Sequence, residues 1–162
     1  MRLYLVRHAH AGSRSEWSEP DHLRPLSPKG WERANGLVDV LGDQGIQRLV
    51  SSHYLRCTQT FAPLAELLDI GIENHEALAE GASLADGIGL IDDLVSTGTT
   101  AALCSHGDVI PELLAGLARR GAVLHGDKCP KGSIWVLESS GGSIGHATYA
   151  GSGPLPDHVI AD

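Results

Sequence analysis

The sequence predicts an α/β fold, a three-layer α/β/α sandwich with a mostly parallel central sheet, and three observations lead to it. Short apolar runs alternate along the chain with stretches whose apolar residues recur at helical spacing. The first run, Leu3-Tyr4-Leu5-Val6, is apolar at consecutive positions, as a strand covered on both faces must be. A length of 162 residues with 42% hydrophobic side chains gives a single domain enough material for a core. Strands alternating with helices in this way form crossover units that put helices on both faces of a sheet.

Each element follows from local chemistry. After the first strand, the polar stretch from His10 to Ser27 reads as loop. Ser27-Pro28 is an N-cap followed by proline at the first helical position. Trp31, Ala34, Leu37, Val38 and Leu41 then recur at helical spacing, and Gly42 is the expected stop. Ile46 to Val50 is a second strand. A second helix begins near Tyr54, with Cys57, Phe61, Leu64, Ala65 and Leu68 on one stripe; Pro63 inside it is expected to remove a ladder hydrogen bond and kink it. Ile70 to Glu73 is a short strand. Leu84, Ile88, Ile91, Leu94 and Val95 mark a third helix, Thr100 to Cys104 a buried strand, and Val109, Ile110, Leu113, Leu114 and Leu117 a fourth helix. Ser133–Leu137 and Ile144–Tyr149 form a late β pair joined by the turn residues Ser139-Ser140-Gly141-Gly142. One domain is expected over residues 1–150. Gly151, Gly153, Pro154 and Pro156 mark 151–162 as a C-terminal tail.

Composition excludes several function classes. Twelve Lys and Arg against twenty Asp and Glu give a net charge of -8, a field that repels nucleic-acid polymers but permits a local basic pocket for a small anion. No apolar run approaches the length of a membrane helix, and the apolar start of the chain meets Arg7-His8 too soon for a signal-peptide core. Cys57, Cys104 and Cys129 are odd in number and lack CxxC spacing, so neither a disulfide framework nor a zinc knuckle is expected. A soluble protein of a reducing cytoplasm fits these features.

Sheets of this kind bind ligands at the carboxyl ends of their strands. Arg7 and His8 follow the first strand, Ser52 and, one helical turn later, Arg56 follow the second, and Ser105-His106-Gly107 follow the strand ending at Cys104. Two arginines and two histidines are thereby expected at one edge of an otherwise acidic molecule. Arginine offers planar donors to phosphate or carboxylate oxygens. Histidine can be nucleophile, acid–base group, charged donor or metal ligand. The residues alone point to phosphoryl transfer through a phosphohistidine, or to simple anion binding.

Five segments in order carry a family resemblance. Leu5-Val6-Arg7-His8-Ala9 resembles the Arg-His-Gly signature of the histidine phosphatase, or phosphoglycerate mutase-like, superfamily. Arg24-Pro25-Leu26-Ser27-Pro28-Lys29-Gly30 is similar to the family's approach to its first helix. Ser52-His53-Tyr54-Leu55-Arg56-Cys57-Thr58-Gln59-Thr60 resembles its Ser-x-x-x-Arg-x-x-Gln-Thr motif, Ala77-Leu78-Ala79-Glu80-Gly81 its acidic loop, and Ser105-His106-Gly107 its second histidine motif. The resemblance implies the phosphoglycerate mutase-like fold. It implies His8 as the nucleophile that becomes phosphorylated, Arg7 and Arg56 as phosphate clamps, His106 as a second catalytic histidine that binds a phosphate oxygen, and Glu80 as proton donor to the leaving group. It also implies a reaction without metal or organic cofactor. The chain departs from the pattern at Ala9, where glycine is usual. A positive φ there would cost alanine about 1 kcal/mol or more. Glu76 competes with Glu80 for the acid's role.

The stretch between Thr60 and Thr100 has no room for the capping insertions of larger members, and an open site suits hydrolysis better than a mutase reaction. The likeness is greatest to the short phosphohistidine-phosphatase branch. Ala11-Gly12-Ser13 and Val109-Ile110-Pro111-Glu112 also resemble the phosphatase domain that follows some MutT-type Nudix hydrolases. The implied substrate is a phosphorylated small molecule, a nucleotide or a phosphohistidine protein. The rival readings are a phosphate-binding module without turnover and a histidine-rich metal hydrolase. His10, Arg14 and Ser52 are candidates to line the substrate pocket, Ser52 also as a helix N-cap. Lys128 and Lys131 read as solvated loop charges, Asp108 and Glu112 as favourable charges at a helix start. His22, His53, His75, His125, His146 and His158 have no motif context.

Overall fold

The computed structural model describes residues 1–157. Its sheet contains β1 (Arg2–Arg7), β2 (Arg48–Ser51), β3 (Ile72–Asn74), β4 (Ala101–Ser105), β5 (Val123–His125), β6 (Ile134–Ser140) and β7 (Ser143–Gly151). They lie in the order β3-β2-β4-β1-β6-β7-β5. Strands β3, β2, β4 and β1 are mutually parallel neighbours, β6 runs antiparallel to both β1 and β7, and β5 is parallel to β7. The helices are α1 (Pro28–Leu41), α2 (Leu55–Leu68), α3 (Leu84–Ser96) and α4 (Val109–Arg119). The fold is the three-layer α/β/α sandwich with a mostly parallel sheet that the sequence predicts.

Alternation along β1 shows how both faces are covered. Leu3 and Leu5 join a core that includes Leu90, Ile91 and Leu94 of α3 and Ile110, Leu113 and Leu117 of α4. Tyr4 and Val6 join the opposite core with Leu37 and Leu41 of α1 and Cys57, Phe61 and Leu64 of α2. Successive side chains of a strand point to opposite faces, so a run apolar at every position fits a sheet covered on both.

Local chemistry fixes the helix starts. Ser27 Oγ accepts the Gly30 N–H at 3.1 Å, with Pro28 in the first turn as expected. A Cβ at Gly30 would clash with the His10 carbonyl, so only glycine lets the loop of residues 10–27 lie against α1. Ser83 caps α3 in the same way through the Asp86 N–H. Helix α2 continues through Pro63 without a break in its assigned span. The loop between β1 and α1 contains two short 3₁₀ turns, Arg14–Glu16 and Asp21–Leu23, and a third, Glu76–Leu78, precedes α3. Beyond Gly151, the Ser152 carbonyl accepts from Arg33 and the Pro156 carbonyl from Arg2. The last five residues of the expected tail, including His158, lie outside the described residues. Among those described, no helix is long and apolar enough to cross a membrane.

Candidate active site

Strands β1, β4 and β2 are parallel neighbours, so their carboxyl ends bring Arg7 and His8, Ser105-His106-Gly107, and Ser52 to Arg56 to one edge of the sheet. A cavity of about 300 Å³ opens there, lined by Arg7, His8, Arg14, Arg24, Arg56 and Lys131, by His106, Glu80 and Asp108, and by two glycines. Five cationic side chains and two carboxylates line it, a local excess of positive charge in a chain of net charge -8.

His8 is 5% exposed and is held on both sides. Its backbone N–H donates to the Ser105 carbonyl at 3.0 Å, and the next N–H, of Ala9, donates to Thr60 Oγ1 at 3.0 Å. Thr60 Oγ1 in turn donates to the Arg56 carbonyl at 2.7 Å, so the Gln-Thr end of the second motif ties the His8 loop to the helix carrying Arg56. The neighbouring Gln59 accepts the Leu26 N–H at 2.8 Å and fixes the approach to α1. His8 Nδ1 lies 2.8 Å from the Ala9 carbonyl. A carbonyl can only accept, so Nδ1 carries the proton and Nε2 keeps a free lone pair. Burial is the largest influence on this imidazole and lowers its pKa from 6.5 to about 3. The bond to Ala9 opposes that shift, while His106, Arg56 and Arg7 add to it. Ala9 has no positive φ, so alanine in place of glycine carries no backbone strain.

Arg7 Nη1 donates to the Cys129 carbonyl at 2.8 Å. Its guanidinium lies against Gly107, where a Cβ would come within 2.7 Å of Arg7 Cζ and Nη2. A side chain at this position would displace the Arg7 guanidinium from its present place. Arg56 is 1% exposed: Nη1 donates to the Asp21 carbonyl, and Nη2 to Asp21 Oδ2 and Glu80 Oε2, each at 3.0 Å. Its guanidinium carbon also sits 4.8 Å from the Tyr54 ring centroid. The His106 ring is centred 5.3 Å from that of His8, and its Nε2 lies 2.8 Å from Ser52 Oγ. Three buried nitrogens of this set, Arg7 Nε, Arg56 Nε and His106 Nδ1, have no hydrogen-bond partner among the described residues.

The acidic loop is anchored at two points, by Ser105 Oγ donating to the Leu78 carbonyl at 2.7 Å and by the Gly81 N–H donating to Asp108 Oδ2 at 2.8 Å. Glu80 is thereby turned into the cavity, with Oε1 accepting from Arg14 Nη2 at 2.7 Å. Glu76 is exposed and lines a different hollow with His75 and Asp86.

Of the three candidates to line the pocket, Arg14 does so. His10 does not: Nδ1 is turned toward Ser27 Oγ at 2.6 Å, at the start of α1. Ser52 is fully buried behind His106 and does not reach the cavity. Its hydroxyl accepts the Tyr54 N–H at 3.3 Å, and Tyr54 itself occupies the α2 N-cap position. Asp108 lies at the start of α4, but its carboxylate serves the acidic loop. Lys131 is an exposed loop residue whose side chain also lines the cavity. Sequence reasoning did not single out Asp21 or Arg24. Arg24 had a readable signal in the Arg-Pro-Leu-Ser segment, whereas Asp21 reaches Arg56 only because residues 21–23 form a 3₁₀ turn.

Comparison with known proteins agrees with this architecture. The family model of the histidine phosphatase superfamily, branch 1, matches residues 3–84, half of the chain. The chain belongs to the histidine phosphatase superfamily. It is 35% identical over 151 residues to an 8-oxo-(d)GTP phosphatase of Mycolicibacterium smegmatis, an alignment covering 90% of this chain and 46% of that protein. The chain thus spans about half the length of this curated relative. Among solved structures, the protein histidine phosphatase SixA complexed with tungstate superposes with a TM-score of 0.74 at 21% identity, covering 92% of this chain and 94% of that one. A mycobacterial glucosyl-3-phosphoglycerate phosphatase with inorganic phosphate gives 0.68 at 17% identity, covering 91% and 94%. At these identities the structural likeness speaks for the fold.

Proposed function

We propose that this protein is a phosphatase that hydrolyses a phosphomonoester or phosphohistidine through a phosphohistidine intermediate on His8. The observation that carries the reading is the set of three unpartnered buried nitrogens, on Arg7, Arg56 and His106, around a histidine whose Nε2 lone pair is free. Buried donors without acceptors are costly, and a tetrahedral oxyanion group is the ligand that satisfies several at once.

In the first step the Nε2 lone pair of His8 attacks phosphorus, and the bond from phosphorus to the leaving group breaks. Arg7 and Arg56 hold the equatorial oxygens as negative charge builds on them, and His106 donates from Nδ1. For His106 to do so, the Ser52 hydroxyl donates its hydrogen bond to the Nε2 lone pair, which leaves the ring proton on Nδ1. The leaving group takes a proton from Glu80. A phosphoryl group that takes over the donors of Arg56 and Arg14 frees the Glu80 carboxylate from both ion pairs, so that it can carry a proton from solvent to the leaving group. In the second step Glu80 accepts a proton from water, water oxygen bonds to phosphorus, the P–N bond breaks, and His8 returns to its neutral form.

The cationic side chains supply the charge stabilisation that a divalent ion would otherwise provide, and the reaction as drawn uses no metal. Its substrate is a phosphorylated small molecule or a phosphohistidine protein. A nucleotide is a second reading, supported by the named activity of the relative from M. smegmatis. Hydrolysis of phosphoramidate by the native protein and by His8→Ala, each with and without EDTA, tests the reading. Turnover that survives EDTA and disappears in His8→Ala is expected. Undiminished turnover by His8→Ala, or loss with EDTA and recovery with zinc, would overturn it.

A further inference from the structure

Beside the phosphoryl cavity lies a second hollow of about 240 Å³, lined by Ala11, Gly12, Ser13, Glu16, Trp17 and Arg24 together with Pro25, Leu26 and Ser27. The two share Gly12 and Arg24 as walls, so they are adjacent parts of one surface. Their chemistry differs. The first is a basket of cations. The second has an aromatic and aliphatic wall of half-buried Trp17, half-buried Pro25 and buried Leu26. The indole is fixed in orientation by its Nε1–H donating to the Pro20 carbonyl at 3.0 Å. The short turn Arg14–Glu16 separates the two: Arg14 faces the phosphoryl cavity, while the exposed carboxylate of Glu16 lines the hollow.

We propose that this hollow is the specificity subsite for the leaving group and that it takes the base of a nucleoside phosphate. A ligand that spans both cavities must carry an anionic group at one end and a flat ring at the other, and a nucleoside phosphate has that form. The base lies against the fixed face of Trp17, and ring N–H or exocyclic amine donors reach Glu16. Arg24, buried and donating to the Ala11 carbonyl at 2.7 Å and to Asp21 Oδ1 at 3.1 Å, holds the shared wall in shape between them. The inference rests on the phosphatase reading and narrows its substrate class.

Steady-state hydrolysis of guanosine and adenosine phosphates, ribose 5-phosphate and phosphoramidate by the native protein, Trp17→Phe and Trp17→Ala tests it. The native protein is expected to show a KM about tenfold lower for nucleotides than for ribose 5-phosphate, the scale of one base stacked on an aromatic ring. Trp17→Ala should abolish that difference, Trp17→Phe should keep most of it, and phosphoramidate, which has no base, should be turned over alike by all three. Equal KM for nucleotides and ribose 5-phosphate in the native protein would overturn the subsite while leaving the phosphatase reading intact. So would preferred turnover of a phosphohistidine protein that is insensitive to Trp17. A Trp17→Ala defect equal on phosphoramidate and nucleotides would assign Trp17 to the fold. Absence of turnover on every substrate would sink the phosphatase reading instead.

Discussion

Arg2 and Arg7 stand at the two ends of β1, six positions of one strand, in opposite electrostatic settings. Arg2 is 7% exposed, with Nη2 2.9 Å from Glu138 Oε1 on the neighbouring strand β6 and a further bond to the Pro156 carbonyl. Arg7 has no carboxylate partner among the described residues: one nitrogen donates to a backbone carbonyl, and the guanidinium shares the cavity with Arg56, Arg24 and Lys131. A cation paired with a buried carboxylate across a sheet closes a seam. Arg7, beside the neutral His8, is closed by no carboxylate, and its Nε stays without an acceptor among the described residues. That contrast sets Arg2, closed within the fold, apart from Arg7, which the proposed function uses for binding.

The largest way to break the comparison is to remove the group at its centre. His8→Ala is expected to lower kcat by more than about a thousandfold with little change in the affinity for inorganic phosphate, measured by single-turnover kinetics and competition. Arg56→Ala should lower kcat/KM by about a hundredfold to a thousandfold and weaken inhibition by phosphate, with Arg56→Lys between it and the native protein. Unchanged phosphate inhibition in a folded Arg56→Ala would remove it from the clamp. Glu80→Gln should slow hydrolysis about a hundredfold for esters with poor leaving groups and far less for good ones, because only the former need a proton in flight. Equal slowing would assign the acid elsewhere.

At the other end of β1, Arg2→Ala should cost about 3–5 kcal/mol in urea unfolding by stripping a buried pair of its cation, with kcat intact at 25 °C. A loss of kcat in the folded Arg2→Ala would erase the distinction between the two ends. The smallest effect is on the pH profile of stability. Because His8 is lowered from 6.5 to about 3, its neutral burial stabilises the fold fully above pH 6.5, and this contribution falls away as the pH drops toward 3. Unfolding free energies between pH 4 and 7 should therefore be flatter for His8→Ala than for the native protein.

Much of the site is legible in the sequence because it sits at the ends of strands that announce themselves. The apolar runs before Arg7-His8, Ser52 and Ser105-His106 locate three strand ends, and parallel pairing brings those ends together. What escapes is whatever depends on a loop's path. Asp21 reaches Arg56 through a 3₁₀ turn inside a stretch that reads as featureless, and His10, one position beyond the buried Ala9, turns toward the cap of α1. Strand β5 escapes for a different reason: Val123–His125 is short and largely exposed, and it exists through its pairing with β7. Ser52 shows a limit of another kind. It has the right position in sequence, but burial behind His106 makes it a partner of the histidine.

The central claim is that His8 Nε2 takes the phosphoryl group. Rapid quench of the native protein with a phosphorylated substrate, followed by phosphorus NMR and peptide mapping, tests it most directly. The account predicts an acid-labile, base-stable phosphate on Nε2 of His8 that is absent from His8→Ala. A phosphoenzyme carried by any other residue, or turnover in which none forms and the phosphorus of a chiral substrate is inverted, would contradict it.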